Sequence, residues 1–248
     1  MYVTECVIMT PKYKRIVIKV SGESLALKGK SNLIFDAKKL KDLATTVRSI
    51  TDLGVEVGIV VGAGNIWRGR LAEQIGIETT TADYMGMLGT IMNALAIQSS
   101  LEELGCNCRV MSSIHINQVC EPYIRRKAIH HLESGRIVIF AGGTGNPYFT
   151  TDSTATLRAL EVEAEAILMA KNGVEGVLDD DPRTNADAKL IKHLTYHDVV
   201  ERKLGVMDLT AVAMLEGKDI VIRVFNADDQ ENYNRVLLGE DIGTTITK

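Results

Sequence analysis

Short aliphatic, β-branched runs alternating with amphipathic stretches constrain this 248-residue chain more than any other feature. The runs are 15–20 (RIVIKV), 55–61 (VEVGIVV), 136–141 (RIVIFA), 165–170 (EAILMA) and 220–225 (IVIRVF). Several are apolar at consecutive positions, the pattern expected where both faces of a parallel sheet are covered. Between them lie helical patterns. The stretch 36–53 has Asp36 as an N-cap, Leu40, Leu43, Val47 and Ile50 on one face, and Gly54 just past its end. A longer helix is expected over 81–104, rich in small residues and Met, which suits burial against something large such as another subunit. Further helices are expected over 125–134, 153–163, 198–203, 209–216 and 232–238, and 179–189 (DDDPRTNADAK) reads as a long exposed loop. This alternation argues for an α/β fold with a mainly parallel sheet and right-handed crossovers.

At 46% hydrophobic and 24% charged, the chain has the composition of one large or two small globular domains. No apolar run approaches the ~18 residues needed to cross a bilayer, and Glu5 and Pro11 stand where a signal peptide would carry basic and small residues. A soluble, cytoplasmic protein with no membrane partner is expected. A net charge of −4 gives no general attraction for a polyanion, and 5% aromatic residues leave little to stack on bases, so nucleic acid is not the expected partner. Any anionic ligand must be held locally. Cys6, Cys106, Cys108 and Cys120 form no CxxC pair and read as reduced packing thiols.

In open α/β sheets, ligands gather at the carboxyl ends of strands. Three expected strand ends carry glycine: Lys19-Val20-Ser21-Gly22-Glu23, Gly62-Ala63-Gly64-Asn65 and Gly142-Gly143-Thr144-Gly145-Asn146-Pro147. Glycine lets backbone N–H groups approach phosphate oxygens, and a helix start adds partial positive charge. GxxxxGK[ST], GxGxxG and the protein-kinase motifs are absent from the sequence. Lys19 stands instead at the end of an aliphatic strand, where its ammonium either snorkels to solvent or meets an anion. Asp152 and Asp208 each precede or open a helix and serve either as caps or as carboxylates at a phosphate site. Arg68 suits a phosphate, and Asp83 suits a helix start or two sugar hydroxyls.

Taken together, 13–23 (YKRIVIKVSGE), 60–69 (VVGAGNIWRG), 82–96 (ADYMGMLGTIMNALA), 143–153 (GTGNPYFTTDS) and 206–211 (VMDLTA) closely resemble the bacterial uridylate kinases, a branch of the amino acid kinase family. The likeness covers about the whole chain. It implies a single three-layer α/β/α domain over 1–248, with an acceptor lobe at about 14–165 and an ATP lobe at about 166–248. The implied activity is that of a nucleoside monophosphate kinase of pyrimidine synthesis, passing the ATP γ-phosphoryl group to UMP with Mg²⁺ carried mainly on the ATP phosphates. A homohexamer inhibited by UTP is also implied. By the family's pattern Lys19, Val20, Ser21, Gly22, Gly64 and Arg68 meet the ATP phosphates, and Asn172, Leu178 and Asp181 lie near the ATP base and ribose. Ala63, Asp83, Thr144, Gly145, Asn146, Pro147, Tyr148, Phe149, Thr150 and Thr151 hold UMP. Lys19, Arg68, Asp152 and Asp208 make the catalytic set, with Asp152 orienting Lys19 or the magnesium.

Three positions depart from that pattern. Ala63 replaces a usual glycine and is expected to add a methyl beside the UMP phosphate. Leu178 replaces a usual aromatic residue and removes a stacking contribution. The segment 28–33 (KGKSNL) replaces a Gly-rich stretch linked to GTP activation, so that response is not expected here. The alternatives are a kinase of the same fold acting on a carboxylate or carbamate, and a non-catalytic nucleotide or oxyanion binder.

Overall fold

A computed structural model describes residues 10–27, 33–180, 185 and 187–248. The expected runs form strands β1 (Arg15–Val20), β2 (Glu56–Val61), β5 (Ile137–Ala141), β6 (Ala166–Lys171) and β10 (Val221–Asn226). Four more join them: β3 (Cys108–Ser112), β4 (Glu121–Pro122), β9 (His193–Thr195) and β11 (Thr244–Thr247). The resulting 9-stranded sheet has the order β4-β3-β5-β2-β1-β6-β10-β11-β9. Every pairing is parallel except that of β10 with β11. A small antiparallel pair, β7 (Val177–Leu178) and β8 (Leu190–Ile191), frames the acidic 179–189 segment.

Helices cover both faces. The α1 (Ala37–Asp52), α2 (Thr79–Glu103) and α7 (Glu231–Leu237) helices pack with Ile16, Ile18 and Val20 on one face. On the other, α3 (Arg125–Glu133), α4 (Thr151–Glu161), α5 (Tyr196–Glu201) and α6 (Leu209–Leu215) pack with Val17. The expected three-layer α/β/α sandwich is therefore present. Side chains alternate across a strand, so Lys19, two residues beyond Val17, leaves β1 on the α4 side. Lys171, two residues beyond Met169 on neighbouring β6, does the same.

Local signals set the helix ends. Asp36 caps α1 by accepting a hydrogen bond from Lys39 N at 2.9 Å, and Gly54 follows with φ +81°. Thr195 and Asp198 close a reciprocal capping box on α5. Cys108, at the start of β3, is wholly buried, and burial pushes its thiol up to about 12. That fits a packing thiol; Cys6 lies outside the described residues.

Chain direction creates the site. From β1 the chain leaves to α1 on one face, and from β6 it leads to α5 and α6 on the other, so the carboxyl ends of these adjacent strands open a crevice between diverging connections. The floor of that crevice is rigid, because Ile16, Val17 and Ile18 are all 0% exposed. Ile18→Ala should lower the unfolding free energy by about 2–5 kcal/mol, read from the urea midpoint with the denaturant slope unchanged. A loss under about 1 kcal/mol would contradict this account of β1 as the centre of the core.

Candidate active site

Lys19 meets Asp152 at the floor of the crevice, with Nζ 2.9 Å from Oδ1 and both side chains largely buried. Asp152 lies in the first turn of α4, so the pair also carries the positive end of that helix. Thr150 caps α4: its Oγ1 accepts from Asp152 N at 3.1 Å and Ser153 N at 3.2 Å, and donates to Asp208 Oδ2. Asp208 in turn accepts from Ala211 N at 2.8 Å and caps α6. Its oxygens thereby tie the starts of two helices together.

A second lysine joins the first. Lys171 Nζ donates to Val206 O at 2.8 Å, and burial lowers its pKa, helped by the like charge of Lys19 and opposed by Asp152. Two partly desolvated cations beside one carboxylate leave a local excess of positive charge there, which suits a polyanion. Lys171 was not singled out in the sequence. Its signal was the one Lys19 gave, a lysine closing an aliphatic strand (AILMAK).

The first two glycine loops touch. A Cβ on Gly22 would stand 2.5 Å from Gly62 O and 2.7 Å from Gly64 N, and one on Gly62 would stand 2.9 Å from Thr151 Oγ1. The loop after β1, the loop after β2 and the start of α4 thus converge at backbone contact. Arg68 bridges the same loops, with its guanidinium 2.8 Å from Glu23 Oε1 and its Nε 3.3 Å from Gly64 O. That ion pair is half-exposed and weakly held, so an arriving phosphate can take over the guanidinium.

Two clefts adjoin this point. One, of about 600 Å³, includes Lys19, Val20, Ser21, Lys171 and Asn172 and runs between α1 and the segment after β10. The other, of about 250 Å³, includes Ala63, Trp67, Asp83, Phe149, Thr150 and Thr151. Asp83 Oδ2 accepts from Tyr148 N at 2.8 Å, which fastens the third glycine loop to α2. Tyr148 has φ +69°, a left-handed conformation a tyrosine adopts only when its surroundings impose it.

That third loop is held from below by a group the sequence did not reveal. Arg158, buried in α4, donates to Ser113 Oγ at 2.6 Å and Gly143 O at 3.2 Å, pairs with Glu161, and stacks 3.8 Å from the Tyr123 ring centroid. Thr90 Oγ1 accepts from Gly142 N at 2.8 Å. The segment Thr144, Gly145, Asn146 and Pro147 closes on itself, Thr144 Oγ1 donating to Asn146 O at 3.1 Å, and does not line the 250 Å³ cleft.

This arrangement can be set beside known proteins. The family model for the amino acid kinase family matches residues 14–226. The chain belongs to the amino acid kinase family. A curated uridylate kinase from Pediococcus pentosaceus is 52% identical over 235 residues, covering 95% of this chain and 97% of that protein. The solved UMP kinase from Bacillus anthracis superposes with a TM-score of 0.90 at 47% identity, covering 94% of this chain and 96% of that one. The UMP kinase from Ureaplasma parvum gives 0.89 at 38% identity, covering 95% and 99%.

Against the family pattern, the structure brings Lys19, Val20, Ser21, Gly22, Gly64, Arg68, Asp152 and Asn172 to the crevice or its wall. Leu178 lies on β7, away from the lining of both clefts, and Asp181 lies outside the described residues, as does 28–32. Ala63 is accommodated: its methyl faces α2, where a Cβ on Gly89 would come within 3.0 Å of it. The added methyl is therefore met by the lack of one on α2, while Ala63 also lines the 250 Å³ cleft.

Gly22→Ala forces a methyl to within 2.5 Å of a backbone oxygen. It should destabilise the fold by about 1–3 kcal/mol and abolish nucleotide binding, read by chemical denaturation and calorimetric titration. A variant that binds nucleotides normally would contradict the convergence of the loops.

Proposed function

We propose that this chain transfers the γ-phosphoryl group of ATP to UMP, giving UDP and ADP, as a nucleoside monophosphate kinase of pyrimidine nucleotide synthesis. The observation that carries it is the meeting of Lys19, Asp152, Arg68 and two glycine loops at the junction of two adjoining clefts. The match to proteins named uridylate kinase and UMP kinase supports the choice of acceptor. The GTGNPYFTTDS run argues against a carboxylate or carbamate acceptor.

A non-bridging oxygen of the UMP phosphate forms the new P–O bond to the γ-phosphorus while the bond to the β–γ bridging oxygen breaks, its electron pair leaving with ADP. The attacking oxygen is already anionic near neutral pH, so no general base is needed. The obstacle is repulsion between two polyanions, overcome by cations and fixed N–H dipoles held in line. Lys19 neutralises the transferring group, Asp152 orients Lys19, and Lys171 adds charge on the ATP side. Arg68 leaves Glu23 for phosphate, while the backbone of Val20, Ser21, Gly22 and Gly64 lines the donor's path. Asn172 completes the ATP side. Asp83 binds the acceptor's ribose, and Ala63 with Phe149, Thr150 and Thr151 holds its phosphate and base. Asp208 acts through Thr150 and is a positioning residue.

Among the described residues no three of His, Cys, Asp and Glu group into a metal cage. A cation that arrives on ATP needs few protein ligands, and Asp152, with one oxygen on Lys19, is a carboxylate suited to it. Mg²⁺ bound there would spread the charge of the β- and γ-phosphates.

UTP would compete in the acceptor cleft. A homohexamer is supported by α2, which leaves Tyr84, Leu88 and Met92 exposed at four-residue spacing. No helix among the described residues is long and apolar enough to cross a membrane, and a cytoplasmic place, where UMP and ATP are found, goes with the proposed reaction.

A coupled assay of ADP release across UMP, CMP, AMP and acetylglutamate should show turnover with UMP above all. Turnover with acetylglutamate instead, or UMP and ATP binding without UDP, would overturn the reading. Lys19→Ala should lower kcat by roughly 10² to 10³; a loss below about tenfold would remove Lys19 from this role. Thr151 lines the acceptor cleft, whereas the Thr144 hydroxyl is engaged in its own turn. Thr151→Val should therefore narrow the preference for UMP over CMP, because an unmet hydrogen bond is what penalises a wrong base. Unchanged discrimination would contradict that.

A further inference from the structure

We propose that the side-chain amides of Asn65 and Asn93 form a positioning device that sets the distance between the two phosphate-holding loops, a role that rests on the phosphoryl-transfer reading above. Asn93 sits within the 25-residue helix α2 and is 0% exposed. A buried carboxamide is costly unless its polar atoms are used, and these are. Its Nδ2 donates to Gly62 O at 2.7 Å and to Asn65 Oδ1 at 2.8 Å, while its Oδ1 accepts from Asn65 Nδ2 at 3.0 Å. Asn65 Nδ2 also donates to Ile34 O at 2.8 Å. The two amides thus face each other through reciprocal bonds, which fixes the orientation of both.

The pair grips the second loop at each end, since Gly62 and Asn65 bracket Ala63 and Gly64. It also supports the first loop. A Cβ on Gly22 would stand 2.6 Å from Asn65 Oδ1, so the Gly22 backbone rests directly on this amide. Through one buried side chain, α2 therefore locates the donor loop at Gly22 and the second loop, whose Gly64 is assigned to the donor and Ala63 to the acceptor. Neither asparagine lines either cleft. Their influence acts on the spacing of the bound phosphates, not on contact with either nucleotide.

In-line transfer is sensitive to such spacing, with a misplacement of about 1 Å able to cost on the order of 10²-fold. Asn65→Ala leaves the bond from Asn93 to Gly62 O in place and is the variant least disturbing to the core. It should lower kcat by roughly 30-fold or more while the KM values for UMP and ATP change by less than about threefold. Affinity for a bridging ligand, uridine and adenosine joined through a pentaphosphate, should fall by roughly 30-fold, with UMP and ATP alone binding as before. The double variant Asn65→Ala/Asn93→Ala should lose little more kcat than Asn65→Ala, because the residues act as one unit. If Asn93→Ala fails to fold, the single Asn65→Ala variant decides. Wild-type turnover of UMP, with Asn65→Ala keeping more than about a third of kcat and of bridging affinity, would overturn the positioning role alone. Raised KM values at unchanged kcat would overturn it too. A wild-type chain that makes no UDP would overturn both the reading and this role.

Discussion

The ion pair of Lys19 with Asp152 is the interaction around which the crevice is built. A lysine that ends the central strand of an aliphatic core has no cheap place for its charge. Strand alternation turns it towards α4, and the chain supplies a carboxylate there, in the first helical turn, where the helix dipole also favours it. Thr150 and Asp208 then hold the start of α4 in place. The result is a cation fixed by structure yet facing an opening, with Lys171 beside it.

Convergence of the loops follows from the topology. β1 and β6 are neighbours whose outgoing connections pass to opposite faces, so their carboxyl ends cannot be roofed over by a common crossover. The glycines at 22 and 62 let the loops close to backbone contact, which side chains would prevent. The rest of the molecule maintains that contact: Arg158 and Ser113 under Gly143, Thr90 under Gly142, and the two asparagines under Gly62.

Much of this was legible in the chain itself. The strands 15–20, 136–141 and 220–225 were visible as dense aliphatic runs because both of their faces are covered. β3 was not, since Cys108 and Arg109 interrupt its pattern, and β9 and β11 are short strands at the antiparallel edge. Among the site residues, those on motif loops were found, while Lys171, Arg158 and Asn93 were missed. Each of these works through tertiary contacts 15 to 45 residues away, which no local pattern records. The packing of Ala63 beside Gly89 was hidden for the same reason, since that partner is reached only through the fold.

The central claim is that one crevice, between β1 and β6, brings both phosphates together on the cations fixed there. A crystal structure with ADP, UMP and aluminium fluoride tests it most directly, because such a mimic binds where the transition state is stabilised. The account places the fluoride within hydrogen-bonding distance of Lys19 Nζ, between the Gly22 and Gly64 loops. A mimic seated away from Lys19, or the two nucleotides bound in clefts that do not meet, would contradict it.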